Sequence, residues 1–102
     1  MKIGKMNVIW TNPAKKDLRK IFEYYKNKAS KNVADKIINS VFKTTAVLST
    51  QNIGTKEELL EHLHQNHRYL VNGNYKIIYF IKDEISYITH VFDTRQNPVK
   101  LK

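Results

Sequence analysis

The stretch HRYLVNGNYKIIYFIKDEISYITHVF, residues 67–92, decides the fold. It is rich in β-branched and aromatic residues, and its hydrophobicity alternates with a period of two, the pattern of half-buried strands. Arg68-Tyr69-Leu70-Val71 reads as a first strand, and Asn72-Gly73 supplies a hairpin turn. Tyr75 to Lys82 is the second strand, Asp83-Glu84 the next turn, and Ile85 to Phe92 the third strand. In the middle strand Tyr75, Ile77, Tyr79 and Ile81 point one way, and Lys76, Ile78, Phe80 and Lys82 the other. The first set is the expected core face. The second set, with cations at its ends and apolar residues between, suits a sheet face that receives a ligand.

Upstream the period changes. Asn7-Val8-Ile9-Trp10-Thr11 reads as a short strand that stops at Asn12-Pro13. There Asn12 can cap free amides, and Pro13 suits the first helical turn. Ala14, Leu18, Ile21, Phe22 and Tyr25 then recur at helical spacing, which predicts a helix to about Lys28. Ser30 can cap a second helix with the stripe Val33, Ala34, Ile37, Ile38, Val41 and Phe42, extending to Leu48. The short connection makes these an antiparallel helical hairpin, and a sheet must complete the core. Gln51-Asn52-Ile53-Gly54 breaks the pattern, and Thr55-Lys56-Glu57-Glu58 has capping-box form, so a short helix with Leu59, Leu60 and Leu63 is expected next. The expected fold is α+β: β-α-α-(short α)-β-β-β, a helical hairpin on one side of a small antiparallel sheet, in a single domain spanning residues 1–102.

Composition narrows the function classes. The 102 residues are 41% hydrophobic and 26% charged, which fits one globular domain and excludes a disordered tail. With no cysteine there is neither a disulfide scaffold nor a thiolate metal site. No apolar run approaches membrane-spanning length, and residues 1–7 lack a signal peptide's apolar centre, so a cytoplasmic protein is expected. The formal charge is +9, and it is lopsided: residues 1–48 carry eleven basic and three acidic residues, residues 49–102 seven and six. Such a chain either meets polyanions or acidic proteins, or wears a lysine-coated, solvated helix face.

No Gly-rich phosphate loop is present; Gly4, Gly54 and Gly73 are dispersed turn residues. The four histidines do not make a metal site: His62 and His64 diverge at two-residue spacing on a helix, His67 lies past its end, and His90 is in another strand. No metal and no cofactor is expected. His67, Arg68, Tyr69, Lys76, His90 and Arg95 could instead be gathered by neighbouring strands into one basic patch that stabilises a phosphate, with a histidine moving a proton near neutral pH. Equally, they are solvated cross-strand residues, with Arg95 bridging to Asp93.

Three segments carry a resemblance. Asn74-Tyr75-Lys76-Ile77-Ile78-Tyr79 is similar to the aromatic-basic-aliphatic-aliphatic-Tyr strand of the ParE/RelE superfamily of bacterial type II toxins. Val91-Phe92-Asp93-Thr94-Arg95-Gln96-Asn97-Pro98 resembles the valine-aromatic-x-x-Arg-x-x-Pro ending of ParE-like members, and Thr11-Asn12-Pro13-Ala14-Lys15-Lys16-Asp17-Leu18 the family's opening. The resemblance covers nearly the whole chain and implies a RelE-like β-α-α-β-β-β fold. It also implies a toxin neutralised by a cognate antitoxin.

RelE-like members cleave mRNA in the ribosomal A site; ParE-like members poison DNA gyrase; a third reading is a non-toxic nucleic-acid or protein-binding module on the same fold. On the ribonuclease reading, Lys76 and Arg95 would hold the scissile phosphate while His67 or His90 moved protons. On the gyrase reading, Arg68, Tyr69 and Arg95 would contact the target, with the lysine-rich hairpin beside them. His67 and Tyr69 stand where RelE has lysines, Lys76 lacks arginine's bidentate fork, and Val99-Lys100-Leu101-Lys102 carries no aromatic, so the resemblance leans towards ParE.

Overall fold

A computed structural model describes residues 7–49, 55–56 and 67–95. In chain order the elements are β1 (Asn7–Trp10), α1 (Asn12–Lys28), α2 (Lys31–Ala46), a 3₁₀ turn (Val47–Ser49), β2 (Thr55–Lys56), β3 (Arg68–Asn72), β4 (Tyr75–Lys82) and β5 (Ile85–Asp93). Among the described residues the sheet has five strands in the order β1-β5-β4-β3-β2.

The two C-terminal hairpins form as their alternation requires, with Leu70 opposite Ile77 and Ile77 opposite Val91. The first turn sits one residue later than expected, on Gly73-Asn74, with Gly73 at φ +57°. The second places Asp83 and Glu84 at φ +52° and +63°, a left-handed geometry that side chains resist.

The sheet is mixed, not purely antiparallel. β1 adds to the edge parallel to β5, pairing Asn7 with Ile85 and Trp10 with Ile88. A parallel neighbour needs a crossover, and the whole helical hairpin with the strands after it provides one. Thr55–Lys56 is also corrected: this pair extends the opposite edge antiparallel to β3, so Thr55 does not open a capping box. The rest of the expected short helix, His62, His64 and the segment from Gln96 to Lys102 lie outside the described residues.

Both helices cover one face. Ala14 and Leu18 from α1, and Val41 with Leu48 from the second helical segment, pack on Leu70, Tyr75, Ile77, Tyr79, Ile88 and Val91. Ile77, Tyr79, Ile88, Val41 and Leu48 are fully buried, and each of the aliphatic ones contributes about 1.5–3 kcal/mol. The opposite face holds a smaller cluster, Ile78 and Phe92 with Tyr69 against them. Ser30 caps α2 as expected, accepting a bond from the Val33 amide at 3.1 Å. At α1 the cap position is Thr11, not Asn12, and Thr11 Oγ1 donates to the Ile88 carbonyl at 2.7 Å instead. Asn72 ties β3 to α2, its Nδ2 donating to Ser40 Oγ at 2.9 Å and Thr44 Oγ1 at 2.8 Å.

Candidate functional site

Where β1 ends decides where a groove forms. β1 covers β5 only as far as Ile88, and the Thr11 amide makes the last bond of that edge, to the Ile88 carbonyl at 3.0 Å. The chain then turns into α1, and beyond Ile88 no further strand of the described residues pairs with β5 on this edge. α1 closes over this stretch. Asp17 Oδ2 accepts from the Val91 amide at 3.0 Å, meeting the edge donor that a strand would have met. Between α1 and β5 lies a groove of about 600 Å³ lined by Asp17, Tyr24, Tyr25, Tyr75, His90 and Arg95, among others.

β5 reaches the groove through an irregularity. Ile78 pairs with His90 but Tyr79 pairs with Ile88, so Thr89 is an extra residue on β5. This bulge lets both Ile88 and Val91 face the core although they are three positions apart. Thr89 Oγ1 donates to the Ile78 carbonyl at 3.3 Å and lies 3.0 Å from His90 Nδ1. The Thr89 hydroxyl thus ties the His90 ring to the bulge, with the donor and acceptor roles set by the imidazole tautomer.

The far end of the groove is a polar chain. Asp93 lies opposite Tyr75 in the sheet. Arg95 donates to Asp93 through Nε at 3.0 Å and Nη2 at 2.8 Å, a bidentate pair. The Tyr75 hydroxyl donates to the Tyr25 oxygen at 3.3 Å, and the Arg95 guanidinium faces that same phenol. A donor on this oxygen and a cation beside it favour phenolate, so the Tyr25 pKa falls, first through Tyr75 and then through Arg95. Burial, then the Tyr25 partner, pushes Tyr75 up. Arg95 itself holds Asp93 below the usual carboxylate value. At the other end burial raises Asp17, opposed by the Val91 amide and by the charges of His90 and Lys20.

The six residues expected to form one basic patch do not converge. Tyr69 and Lys76 lie on the face away from the helices, with the Lys76 ammonium 4.4 Å from the Tyr69 ring centroid, a cation–π contact. Lys76 is paired across the sheet with Phe92, whereas Arg95 joins Asp93, Tyr25 and Tyr75 on the helix side. The expected shared pocket of Lys76 and Arg95 is therefore not formed, because the pleat sends neighbouring pairs to opposite faces. Arg68 pairs with Tyr79, one register step from Tyr69, and so belongs to the helix face. His67 is 2% exposed with its ring edge against Phe80 at 5.3 Å, a buried packing residue and not a presented proton shuttle. Of the expected set, His90 and Arg95 share the groove.

Asp17, Tyr24 and Tyr25 were not singled out from the sequence. Tyr25 reads as an ordinary member of the α1 apolar stripe. Asp17 does carry a signal: it is a carboxylate on the flank of a stripe made by Ala14, Leu18 and Ile21, where a lysine-rich helix would otherwise bury nothing ionisable.

The model of the ParE toxin of type II toxin-antitoxin systems matches residues 8–98, from within β1 to beyond Arg95. The chain belongs to the ParE toxin family. Among solved structures, a chain of the chromosomal ParDE toxin-antitoxin system of P. aeruginosa superposes with a TM-score of 0.76 at 19% identity, over 87% of this chain and 96% of that one. A chain of the toxin-antitoxin complex RelBE2 of Mycobacterium tuberculosis superposes with a TM-score of 0.64 at 21% identity, over 90% and 94%. Both likenesses are of fold, and they confirm the α+β architecture of helices on a small sheet. No individual curated protein sequence matches. Among the described residues of this ParE-family chain, no helix is long and apolar enough to cross a membrane.

Proposed function

We propose that this ParE-family toxin acts in the cytoplasm by binding and inhibiting DNA gyrase, and is held inactive by a cognate antitoxin. One observation supports the binding reading over RNA cleavage. Lys76 and Arg95, the two cations that would have to grip one scissile phosphate, sit on opposite faces of the sheet, and Arg95 is already paired with Asp93. A phosphorane needs donors converging on its oxygens, and two cations divided by a sheet cannot supply them together. The groove between α1 and β5, with Arg95 half-exposed at its end, has the shape and polarity of a docking site for a protein segment. Arg95 is the contact residue of choice there: its fork can exchange Asp93 for a carboxylate of gyrase.

Ribosome-dependent mRNA cleavage is the second reading. It draws on His90, an imidazole lining the same groove as Arg95, the side-chain type that general acid–base chemistry uses most. Induction in cells separates the two: plasmid supercoiling and primer extension on translated mRNAs are followed together. Loss of negative supercoiling with intact messages is the expected result. Codon-linked cuts with normal supercoiling would replace the gyrase reading with the ribonuclease one. For the antitoxin, co-expression with a small acidic neighbouring gene product should restore growth and raise the melting temperature of the toxin.

A further inference from the structure

The outward face of α1 lies largely apart from the groove, meeting it only at Lys20. On a helix of 3.6 residues per turn, the positions opposite Ala14, Leu18, Ile21 and Tyr25 are occupied by Lys15, Lys16, Arg19, Lys20 and Lys26, all exposed. Only Glu23 interrupts them, since the other acid of the helix, Asp17, is turned in to the Val91 amide. Among the described residues none of these five cations makes an ion pair; the helical hairpin's intrahelical pair is Lys31–Asp35 on α2. The ridge from Lys15 to Lys26 is about 16 Å long at 1.5 Å per residue. That length of duplex axis carries roughly ten phosphates.

We infer that this ridge is a binding surface for the phosphate backbone of double-stranded DNA. Three chemical features favour that partner. Unpaired, evenly spread cations on a straight rod release counterions when laid along a rod of regularly spaced anions. A protein partner would need a desolvated apolar or aromatic centre to its interface, and the ridge has none. A single-stranded nucleic acid would need aromatic platforms for its bases, also missing from this face; Tyr24 lies on the flank, towards the groove. Without base-reading side chains the surface contacts phosphates alone, so binding is independent of sequence. The inference does not rest on the gyrase reading.

The test is fluorescence anisotropy of the purified full chain on a short labelled duplex at several salt concentrations. Five phosphate contacts give a slope of log affinity on log salt of about −4.5. The variant Lys15→Gln/Lys16→Gln/Arg19→Gln should reduce it to about −2 and weaken binding at low salt by at least about tenfold. A control variant, Lys36→Gln/Lys43→Gln/Lys82→Gln, removes the same formal charge from exposed positions elsewhere and should leave the slope near that of the unaltered chain. Thermal melts establish that both variants are folded. No binding at low salt would overturn the inference. So would equal losses in the two variants, which would mean net charge alone, or stoichiometric displacement of the duplex by an acidic polypeptide, which would assign the ridge to a protein.

Discussion

Asp17 is the side chain that joins the helical layer to the open part of β5, and its replacement tests how the groove is built. In Asp17→Ala the Val91 amide loses its acceptor, at a position that a strand does not cover and α1 shields from water. A hydrogen bond to a charged acceptor contributes about 1.5–3 kcal/mol net. Part of that is returned, because Asp17 is half-buried and its charge is held at a desolvation cost that raises its pKa. The expected loss is about 1–2 kcal/mol, or roughly 5–15 °C in melting temperature for a domain of this size. Asp17→Asn keeps an oxygen for the Val91 amide and sheds the buried charge, so it should stay within about 0.5 kcal/mol of the parent.

Urea denaturation of the three proteins reads these differences, and amide exchange at Val91 should be fast in the alanine variant alone. The pH dependence has a fixed sign. With its pKa raised above 3.8, folded Asp17 binds a proton more tightly than the unfolded chain does, so it costs stability as pH rises from 3.8 through the native value. The asparagine variant should therefore gain on the parent across that interval and hold a constant difference above it. An alanine variant as stable as the parent, or an asparagine variant as unstable as alanine, would refute the reasoning.

Three further outcomes follow from other sites. Ser86 is fully buried with its hydroxyl unpartnered among the described residues, so Ser86→Ala should raise stability by about 1 kcal/mol in denaturant titration. Glu84 sits at φ +63° in the β4–β5 turn, and Glu84→Gly should relieve left-handed strain and raise stability in denaturant titration by about 0.5–1 kcal/mol after glycine's own entropy cost. The Arg95 contact holds Asp93 below 3.8, so its stabilisation is complete above that pH and lost as pH falls through the lowered native value. Asp93→Asn should accordingly be less stable than the parent at neutral pH by under about 1 kcal/mol, the pair being partly exposed, with the gap closing in acid denaturation curves.

Local periodicity carried most of the fold. The alternation from Arg68 to Phe92 and the stripes from Ala14 to Tyr25 and Val33 to Val41 give the strands and the hairpin, because each is fixed by neighbours a few residues away. Long-range or irregular features left no such trace. The parallel pairing of β1 with β5 joins residues almost eighty positions apart, and nothing in Asn7–Trp10 states which edge it takes. The Thr89 bulge breaks the period within β5. Thr55-Lys56 fits a helix start and a strand edge equally, and tertiary pairing with β3 chose the second. At the site, a basic cluster was legible by composition, but which face each cation occupies depends on register. Lys76 and Arg95 ended apart for that reason, and Asp17 and Tyr25 entered the groove from a helix read only as core.

The most direct measurement takes purified gyrase, relaxed plasmid and the toxin, beside a translating extract in which mRNA integrity is followed. Supercoiling should be blocked by the parent and by Lys76→Ala, restored with Arg95→Gln, and accompanied by uncut mRNA. Cleavage of translated mRNA that disappears equally in the Lys76 and Arg95 variants, with gyrase unaffected, would contradict this, since it would join the two faces of the sheet in one catalytic site.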